Sequence, residues 1–569
     1  MEKKIIRTIL CLFMLFLVLP QVRAQVVSET ERMRELLEKE KAIRERIEKE
    51  EEKPEIKEET PAKAAPPISE EKVFIEKIIV TGNTLIPQQE ISKITSPFEN
   101  QELTLSDFRK IADLITDAYR QKGYITSRAY LAPQKIEKGI LEIRIIEGKA
   151  GDLEIKGNRF FSTRLLKKMI ALNKGDFFNY NILRKNLSKI NRHPDRSSRV
   201  VLMPGKEPGQ TDMLLEVKDR LPVHAGFNWD NFGSRYIEKD RCQLTLSHNN
   251  LLGFDDILTL QYQIAEADAY RLTALRYLFP ITDSTEIGFI AYRTKLDLGR
   301  EYKDLIARGK SEVYGIYLRQ YLIDEDNIDL SLNLGFDYKD ILNFQLGDES
   351  SRDRLRVVKA GFDLDMLDDF GRTILTNEID FGIPNIMGGL KDKDARSSRG
   401  GSGSGGNFTK TTFNLFRLQK LFFDSTLLWK NQMQISPYVL TAAEQFQIGG
   451  IANVRGYPPA ELVGDKGYAM TWEWSLPFYL IPKDIKVPMS SAKLYDALRV
   501  VAFYDWGNVR LHNPQAGEEK SETLRGAGCG LRFNLPEDFS LRLDFAWPMD
   551  RAPSDGKHFH PWVEVSKSF

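Results

Sequence analysis

Cysteine is scarce in this chain of 569 residues, with three in total. Cys11 belongs to the N-terminal leader described below, which leaves Cys242 and Cys529 far apart in the sequence. Two widely separated cysteines exclude a scaffold built on several disulfides. Both fall in predicted strands, where we interpret them as small apolar side chains.

The chain also lacks net charge and long apolar runs. Lys plus Arg and Asp plus Glu are equal at 81 each, so charge gives no indication of a nucleic-acid partner. Mean hydropathy is −0.37, which is too polar for a bundle of membrane helices. We expect no transmembrane helix after the leader, so a membrane protein of this composition has to be a β-barrel.

The N-terminus has the three parts of a secretory signal peptide. A basic head precedes an apolar run at residues 9–19, and Val22 and Ala24 supply the small residues of a cleavage site. We predict cleavage after Ala24, so that residues 1–24 are removed on export. A lipid anchor on Cys11 is the alternative, but the usual small residue before the cysteine is missing.

Two segments of unusual composition follow the leader. Residues 25–52 are dense in Glu, Arg and Lys and carry an apolar stripe at helical spacing. This pattern predicts a helix of about 20 residues, about 30 Å long. Residues 53–72 are rich in Pro, Ala, Lys and Glu, which predicts an extended linker.

Residues 73–148 and 149–220 form an internal repeat. Each half begins with an alternating apolar strand that ends in Gly-Asn, at Gly82 and at Gly157, a pair suited to a turn with positive φ. Amphipathic helices and two further strands follow in each half. The pattern predicts two α/β modules, each with the order β-α-α-β-β.

From residue 221 to residue 569 the pattern is of strands alone. Apolar and polar residues alternate, and aromatic residues lie near the strand ends, which is typical of a transmembrane barrel. An even number of strands puts both ends of the barrel on one side of the membrane. We predict sixteen strands, near 222–232, 239–248, 256–265, 270–279, 285–296, 311–322, 327–340, 354–365, 372–382, 408–419, 425–436, 467–478, 498–506, 524–534, 539–547 and 559–569.

Short and long connections mostly alternate, as periplasmic turns and surface loops do. The link 479–497 departs from this rule because it is long where a short turn is expected. A soluble β-sandwich or propeller is the alternative to the barrel. The signal peptide, the strand length and the terminal Phe569 favour the barrel.

Two motifs are the candidate functional residues. They comprise Val454, Arg455, Gly456 and Tyr457 in the long loop 437–466, and Phe503, Asp505 and Gly507 in a strand. A carboxylate is costly in hydrocarbon, so we expect Asp505 to face the barrel lumen and to need a cation. Arg455 is the candidate, because its guanidinium forms a bidentate pair with a carboxylate. We expect Gly456 to allow a tight turn, and the alternative is that Arg455 and Asp505 are unrelated.

These motifs, with the two repeats, resemble those of the POTRA-barrel superfamily of BamA type. Two repeats, sixteen strands and an N-terminal charged helix are most similar to the two-partner secretion (TpsB) transporters of the haemolysin-activator and filamentous-haemagglutinin type. The resemblance covers residues 73 to 569. It implies POTRA domains at 73–148 and 149–220 and a membrane all-β fold with a 16-stranded barrel. The helix at 25–52 would plug the pore, or it is a solvated helix in the periplasm.

The resemblance implies a translocation pore of the bacterial outer membrane. Its partners would be outer-membrane lipid and a large secreted client polypeptide, which the POTRA domains recognise unfolded in the periplasm and the barrel exports. We expect a monomeric barrel. One alternative is an assembly factor that inserts other barrels. Another is a diffusion porin, which would form trimers and would leave the two repeats unexplained.

We expect no catalytic, cofactor-binding or metal site, and we predict that the protein is not an enzyme. A barrel protease or lipase would need an acid/base pair in a surface cleft, and the sequence indicates none. His558 and His560 are a close pair, but loop polarity explains them more simply than a metal site. The glycine-rich segment 400–406 lacks the lysine of a phosphate loop, so we interpret it as a flexible surface segment.

Overall fold

The structure is a computed structural model that describes residues 56–58, 72–136, 138–266, 269–299, 306–488, 490, 492–536 and 538–569. The predicted signal peptide and charged helix lie outside the described residues. The described chain divides into two units, one ending at Pro222 and the other beginning at Val223.

The first unit starts with a short strand and an α/β module. The elements are β1 (Ile56–Glu58), β2 (Val73–Ile75), β3 (Lys77–Thr81), α1 (Gln88–Thr95), a 3-10 turn (Ser96–Phe98), β4 (Gln101–Leu103), α2 (Leu105–Gln121), β5 (Arg128–Tyr130) and β6 (Ile140–Ile146). In the module, β3 pairs in parallel with β6, and β6 pairs with β5, so that the sheet order is β3-β6-β5.

Helix α2 supplies the core of this module. Its N-terminus is fixed by a capping box in which Thr104 and Asp107 satisfy each other's backbone N–H groups. Apolar residues recur three and four positions apart along α2, so they share one face. That face, which includes Phe108, Ile111 and Tyr119, is buried against the sheet.

The second α/β module repeats this plan. Its elements are β7 (Lys149–Lys156), α3 (Thr163–Ile170), α4 (Tyr180–Asn191), β8 (Arg196–Pro204) and β9 (Gln210–Asp219), in the sheet order β1-β8-β9-β7. Within the stretch interpreted as a linker, β1 adds to this sheet in parallel with β8. Composition predicted only an extended chain there, because the unpaired edge that recruits β1 is about 140 residues away in the sequence.

The Gly-Asn repeat has the same physical cause in both modules. Gly82 and Gly157 have φ of 87° and 91°. A Cβ on Gly82 would lie 2.4 Å from the carbonyl oxygen of Ile145, and a Cβ on Gly157 would lie 2.2 Å from that of Val217. Positive φ and a close backbone therefore both require glycine at these turns.

A carboxylate two residues beyond each of these carbonyls holds the turn. Glu147 accepts hydrogen bonds from the backbone N–H groups of Thr84 and Leu85 at 2.6 and 2.8 Å, and from the Tyr119 hydroxyl at 2.8 Å. Asp219 accepts from the N–H groups of residues 159–161 at 2.8, 2.8 and 3.2 Å. The two modules therefore share this contact between a carboxylate and the turn's N–H groups, as well as the order of their strands.

The second unit is a closed barrel of sixteen antiparallel strands, as predicted, and the last strand pairs with the first to close it. A small hairpin, β21 (Phe446–Ile448) with β22 (Leu462–Gly464), lies outside the wall order. The wall strands are β10 (Val223–Asp230), β11 (Arg241–His248), β12 (Ile257–Ala265), β13 (Tyr270–Thr282), β14 (Thr285–Asp297), β15 (Arg308–Asp324), β16 (Ile328–Gln345), β17 (Asp348–Asp368), β18 (Gly371–Gly382), β19 (Phe408–Lys420), β20 (Thr426–Ile435), β23 (Lys466–Pro477), β24 (Leu498–Arg510), β25 (Ser521–Leu535), β26 (Phe539–Pro548) and β27 (His560–Ser568).

Several strands are longer than predicted. Strands β15, β16 and β17 have 17, 18 and 21 residues. Their added ends carry polar residues such as Arg352 and Asp353, where the apolar alternation stops. Backbone pairing continues there without a lipid-facing stripe, so hydropathy could not detect it.

Two connections between wall strands have structure of their own. The link 479–497 is long, as in the sequence, and contains the short helix α5 (Leu494–Ala497). The segment 400–406, interpreted as flexible and exposed, is instead packed. A Cβ on Gly405 would lie 2.1 Å from the carbonyl oxygen of Asp392, and one on Gly406 would lie 2.5 Å from that of Leu390. These glycines serve close packing, which their composition alone does not reveal.

Among the described residues, no helix has the length and apolar character needed to cross a membrane.

The Glu147 contact predicts a pH-dependent stability of the first module. Burial alone would raise the pKa of the Glu147 carboxyl, but the Thr84 hydroxyl and the N–H groups of Leu85 and Thr84 bring this pKa below its usual value. The stabilisation is therefore complete above the unfolded pKa of about 4.3 and is lost as pH falls through the lower folded-state pKa.

We expect Glu147→Ala to reduce hydrogen-exchange protection of the Thr84 and Leu85 amides in the full-length protein at neutral pH. The matched control Asp219→Ala should reduce protection at residues 159–161 instead. Wild-type protection at Thr84 and Leu85 in the Glu147→Ala protein would show that the carboxylate does not hold the turn.

Candidate functional site

The loop between β20 and β23, residues 436–465, runs back into the barrel and is called the lumen loop below. It contains a 3-10 turn (Ala442–Glu444) and the hairpin of β21 and β22. Its apolar side chains Ile448, Val454 and Tyr457 are fully buried, packed with Leu524 of the wall. A long connection that would otherwise be exposed is therefore an ordered part of the barrel interior.

The Val-Arg-Gly-Tyr motif puts Arg455 directly on Asp505. Arg455 Nε donates to Asp505 Oδ2 at 2.8 Å, and Nη2 donates to Oδ1 at 2.9 Å. The backbone N–H of Arg455 also donates to Asp505 Oδ2, at 3.1 Å. Arg455 is 2% exposed and Asp505 is 0% exposed. The structure thus brings together the two charged residues singled out from the sequence, in the bidentate geometry expected for them.

Two more carboxylates reach the same guanidinium. Arg455 Nη1 lies 2.6 Å from Glu473 Oε2 and 3.5 Å from Asp544 Oδ2. Arg532 in turn contacts Asp544 at 2.6 Å and Glu473 at 3.1 Å, and Arg542 contacts Asp544 at 2.9 Å. We call these charges on β23–β26, together with Arg455, the Arg455 site.

The lumen loop supplies the bidentate partner of Asp505. Arg455 contacts this buried wall carboxylate through two nitrogens and also contacts Glu473. Removal of the loop arginine would leave Asp505 buried without that partner. Breaking a buried pair by removing one partner costs about 3–5 kcal/mol, and a wet lumen reduces this.

Aromatic side chains complete the contact. The guanidinium carbon of Arg455 lies 3.3 Å from the ring centroid of Phe503, which adds a cation–π interaction. Trp562 Nε1 donates to the carbonyl oxygen of Arg455 at 2.9 Å. The side chain, the backbone N–H and the carbonyl of Arg455 are therefore all bonded to the barrel wall.

The glycines of both motifs allow close approach. A Cβ on Gly456 would lie 2.6 Å from the carbonyl oxygen of Trp547. Gly456 does not have positive φ, but the expected tight turn is present, since the Tyr457 N–H donates to the Val454 carbonyl at 3.3 Å. The physical reason for glycine at this turn is contact with the wall. A Cβ on Gly507 would lie 3.1 Å from Val454 Cγ2. The Tyr457 hydroxyl accepts a weak hydrogen bond from the Asp550 N–H at 3.3 Å.

The sequence did not single out Glu473, Asp544, Arg532 or Trp562. Asp544 was visible as a polar residue on an alternating strand. Many lumen-facing residues share that property, so alternation could not distinguish it. Which of them meet depends on the strand register, which pairs Glu473 with Phe503 and Asp544 with Trp562.

Comparison with known protein families gives two matches. The model described as haemolysin secretion/activation protein ShlB/FhaC/HecB matches residues 209–533, more than half of the chain. The model described as POTRA domain, ShlB-type, matches residues 73–148.

Curated relatives match along most of their length. The heme/hemopexin transporter protein HuxB of Haemophilus influenzae is 22% identical over 506 residues, which cover 87% of this chain and 86% of the relative. The outer membrane transporter CdiB of Escherichia coli O6:K15:H31 is 24% identical over 519 residues, which cover 87% and 82%.

Solved structures share the fold. CdiB from Escherichia coli has a TM-score of 0.72 at 20% identity, covering 96% of this chain and 99% of that one. BamA from Haemophilus ducreyi lacking POTRA domains 1–3 has a TM-score of 0.54 at 14% identity, covering 88% of this chain and 100% of that one.

The closed barrel, the lumen loop bound to its wall and the POTRA match define an outer-membrane barrel of the POTRA superfamily. The chain belongs to the haemolysin secretion/activation family ShlB/FhaC/HecB. It is accordingly an outer-membrane transporter of two-partner secretion, with its POTRA domains in the periplasm and a secreted polypeptide as its client. The family match favours this function over an assembly factor.

The Arg455 site predicts a large, local effect of Asp505→Asn. Neutralising Asp505 leaves a buried guanidinium without its bidentate partner, so we expect amide hydrogen exchange to rise at residues 453–457. Asp368→Asn is the matched control, because the half-exposed Asp368 pairs with Arg417 away from the lumen loop and such surface pairs contribute about 0–1 kcal/mol. Both variants should be measured in the full-length protein in detergent or lipid. Equal exchange at 453–457 in the two variants would contradict this account of the site.

Proposed function

We propose that the Arg455 site holds the lumen loop in the position from which client transport proceeds, and that transport fails without it. The observation that carries the proposal is the bidentate contact of Arg455 with Asp505, buried among two further carboxylates. Val454, Gly456 and Tyr457 fit the loop to the wall, and Phe503 and Gly507 shape the wall to receive it. These seven residues form the proposed functional site.

The proposed organisation of the mature chain follows the sequence boundaries. Residues 25–52 are the charged helix, 53–72 the linker, 73–148 and 149–220 the POTRA domains, and 221–569 the barrel. The first POTRA boundary coincides with the matched family model, which supports it.

Client recognition is proposed to occur by strand addition. POTRA sheets have edges that can accept an extended peptide, and main-chain hydrogen bonds then bind the client whatever its sequence. The pairing of β1 with β8 supports this mode, because it is a strand addition within the chain itself.

The energy for transport is proposed to come from the client. ATP is absent from the periplasm, so folding of the client outside the cell would make its passage irreversible. The relatives are transporters, and we propose in addition that this chain has no catalytic activity of its own.

The secretion experiment compares wild-type, deletion and Arg455→Ala cells. We expect proteomics of culture supernatant and outer membrane to show loss of one large exoprotein in the deletion strain and in Arg455→Ala, with other barrels at normal levels. Arg455→Lys keeps the charge but loses the bidentate geometry, so it should secrete less than wild type.

Arg551→Ala is the matched control, since Arg551 pairs with Glu522 at the surface. Cells with this variant should secrete the client normally. Normal secretion by Arg455→Ala, with the barrel present in the membrane, would contradict the role of the site. Loss of many barrels together in the deletion strain would indicate an assembly factor instead.

A further inference from the structure

The outer surface of β14 and β15 changes from apolar to charged along the strands. Phe289 and Tyr314 point away from the lumen and are exposed, as side chains that face lipid are, whereas Tyr292 on the opposite face borders a cavity of about 520 Å³ inside the barrel. Side chains alternate between the two faces of a strand, so Lys295 and Lys310 lie on the same outer face as Phe289 and Tyr314. Both lysines are exposed.

This charged end of the two strands lies at the outer side of the membrane. The POTRA domains are periplasmic and precede the first wall strand, and neighbouring wall strands run in opposite directions. Strand β14 is the fifth of the wall, so it ends, and β15 begins, on the side away from the periplasm. Lys295 and Lys310 therefore lie where the lipid-facing apolar side chains give way to the headgroups of the outer leaflet.

Two ion pairs on this outer face lie on either side of the lysines. Asp297 is directly opposite Arg308, with their charged atoms 3.0 Å apart, and Arg293 is directly opposite Glu312, at 3.1 Å. Opposite charges on facing strands stabilise a sheet. Two of these three successive outward pairs therefore have complementary charges within the chain.

The middle pair has like charges. Lys295 is directly opposite Lys310, which brings their Cβ atoms to about 4.5–5.5 Å and destabilises the sheet. Among the described residues, no carboxylate forms an ion pair with either lysine. The Lys310 ammonium lies 5.4 Å from the ring centroid of Phe344, which supplies no negative charge. An anion from outside the chain is therefore needed to offset the repulsion.

We propose that Lys295 and Lys310 bind a phosphate group of an outer-leaflet lipid. The phosphate accepts hydrogen bonds from both ammonium groups, and its negative charge takes the place of the missing carboxylate. A lipid fits this position better than a free anion because the apolar surface continues from the charged one. Tyr314 lies four residues from Lys310, about 13 Å along β15, so the acyl chains of the same molecule contact the wall there. The site faces away from the lumen, so it is independent of the proposed role of Arg455.

Native mass spectrometry of the full-length protein in detergent tests the proposal, with lipid A that carries two phosphates as the probe. We expect the double variant Lys295→Gln, Lys310→Gln to bind this lipid A about ten-fold or more weakly than wild type, because each basic side chain contributes to the attraction of an anionic headgroup. Lipid A from which both phosphates have been removed should bind to wild type and to the double variant equally.

Lys310→Glu tests the same site with the charges rearranged. It places a carboxylate opposite Lys295, as in the two neighbouring pairs, so the barrel should unfold in lipid-free detergent at the wild-type temperature or above. It should also lose the part of lipid A binding that depends on phosphate. This variant decides the matter if the double variant does not fold.

Lys520→Gln with Lys557→Gln is the matched control. Both lysines are exposed in loops on the same side of the membrane, and the variant has the same change in net charge as the double variant. We expect it to bind lipid A as wild type does.

The proposal is overturned if the double variant and Lys310→Glu, both folded, bind two-phosphate lipid A like wild type. It is also overturned if the control weakens binding as much as the double variant does. Inorganic phosphate separates the two sources of the anion, because it should not displace lipid A at equal concentration. Inorganic phosphate that binds as tightly as lipid A would overturn the assignment to a lipid.

Discussion

The interior of this barrel depends on one contact, the bidentate pair of Arg455 and Asp505. A carboxylate on the wall and a guanidinium on a loop are each unfavourable in a buried position, and each lowers the penalty of the other. Around this pair the wall has the features that a fitted loop requires: a ring beneath the guanidinium, an indole N–H for the Arg455 carbonyl, and glycines where backbones approach closely. The position of residues 453–457 of the lumen loop follows from these local constraints.

Much of the fold was predictable because lipid-facing strands impose period-two alternation, and all sixteen wall strands were located. Arg455 and Asp505 were found because a lumen carboxylate needs a cation and an unusual loop motif contains one. Glu473 and Asp544 were not found, because polar lumen residues are numerous and their pairing depends on register and loop path. The strand ends beyond the hydrocarbon and the pairing of β1 with β8 were not predicted from the sequence, for a related reason. Backbone hydrogen bonding leaves no signal in the hydropathy pattern.

The attachment of the lumen loop to β24 by Arg455 can be measured directly in cell membranes, with Ile448→Cys and Gly507→Cys in a chain whose Cys242 and Cys529 are replaced by serine. A Cβ at Gly507 would lie 3.3 Å from Ile448 Cβ, close to the separation of about 3.8 Å found in disulfides. If Arg455 holds the loop there, we expect a disulfide in high yield, counted by thiol labelling, and a much lower yield when Arg455→Ala is added. The same yield with and without Arg455 would show that Arg455 does not hold the loop against β24.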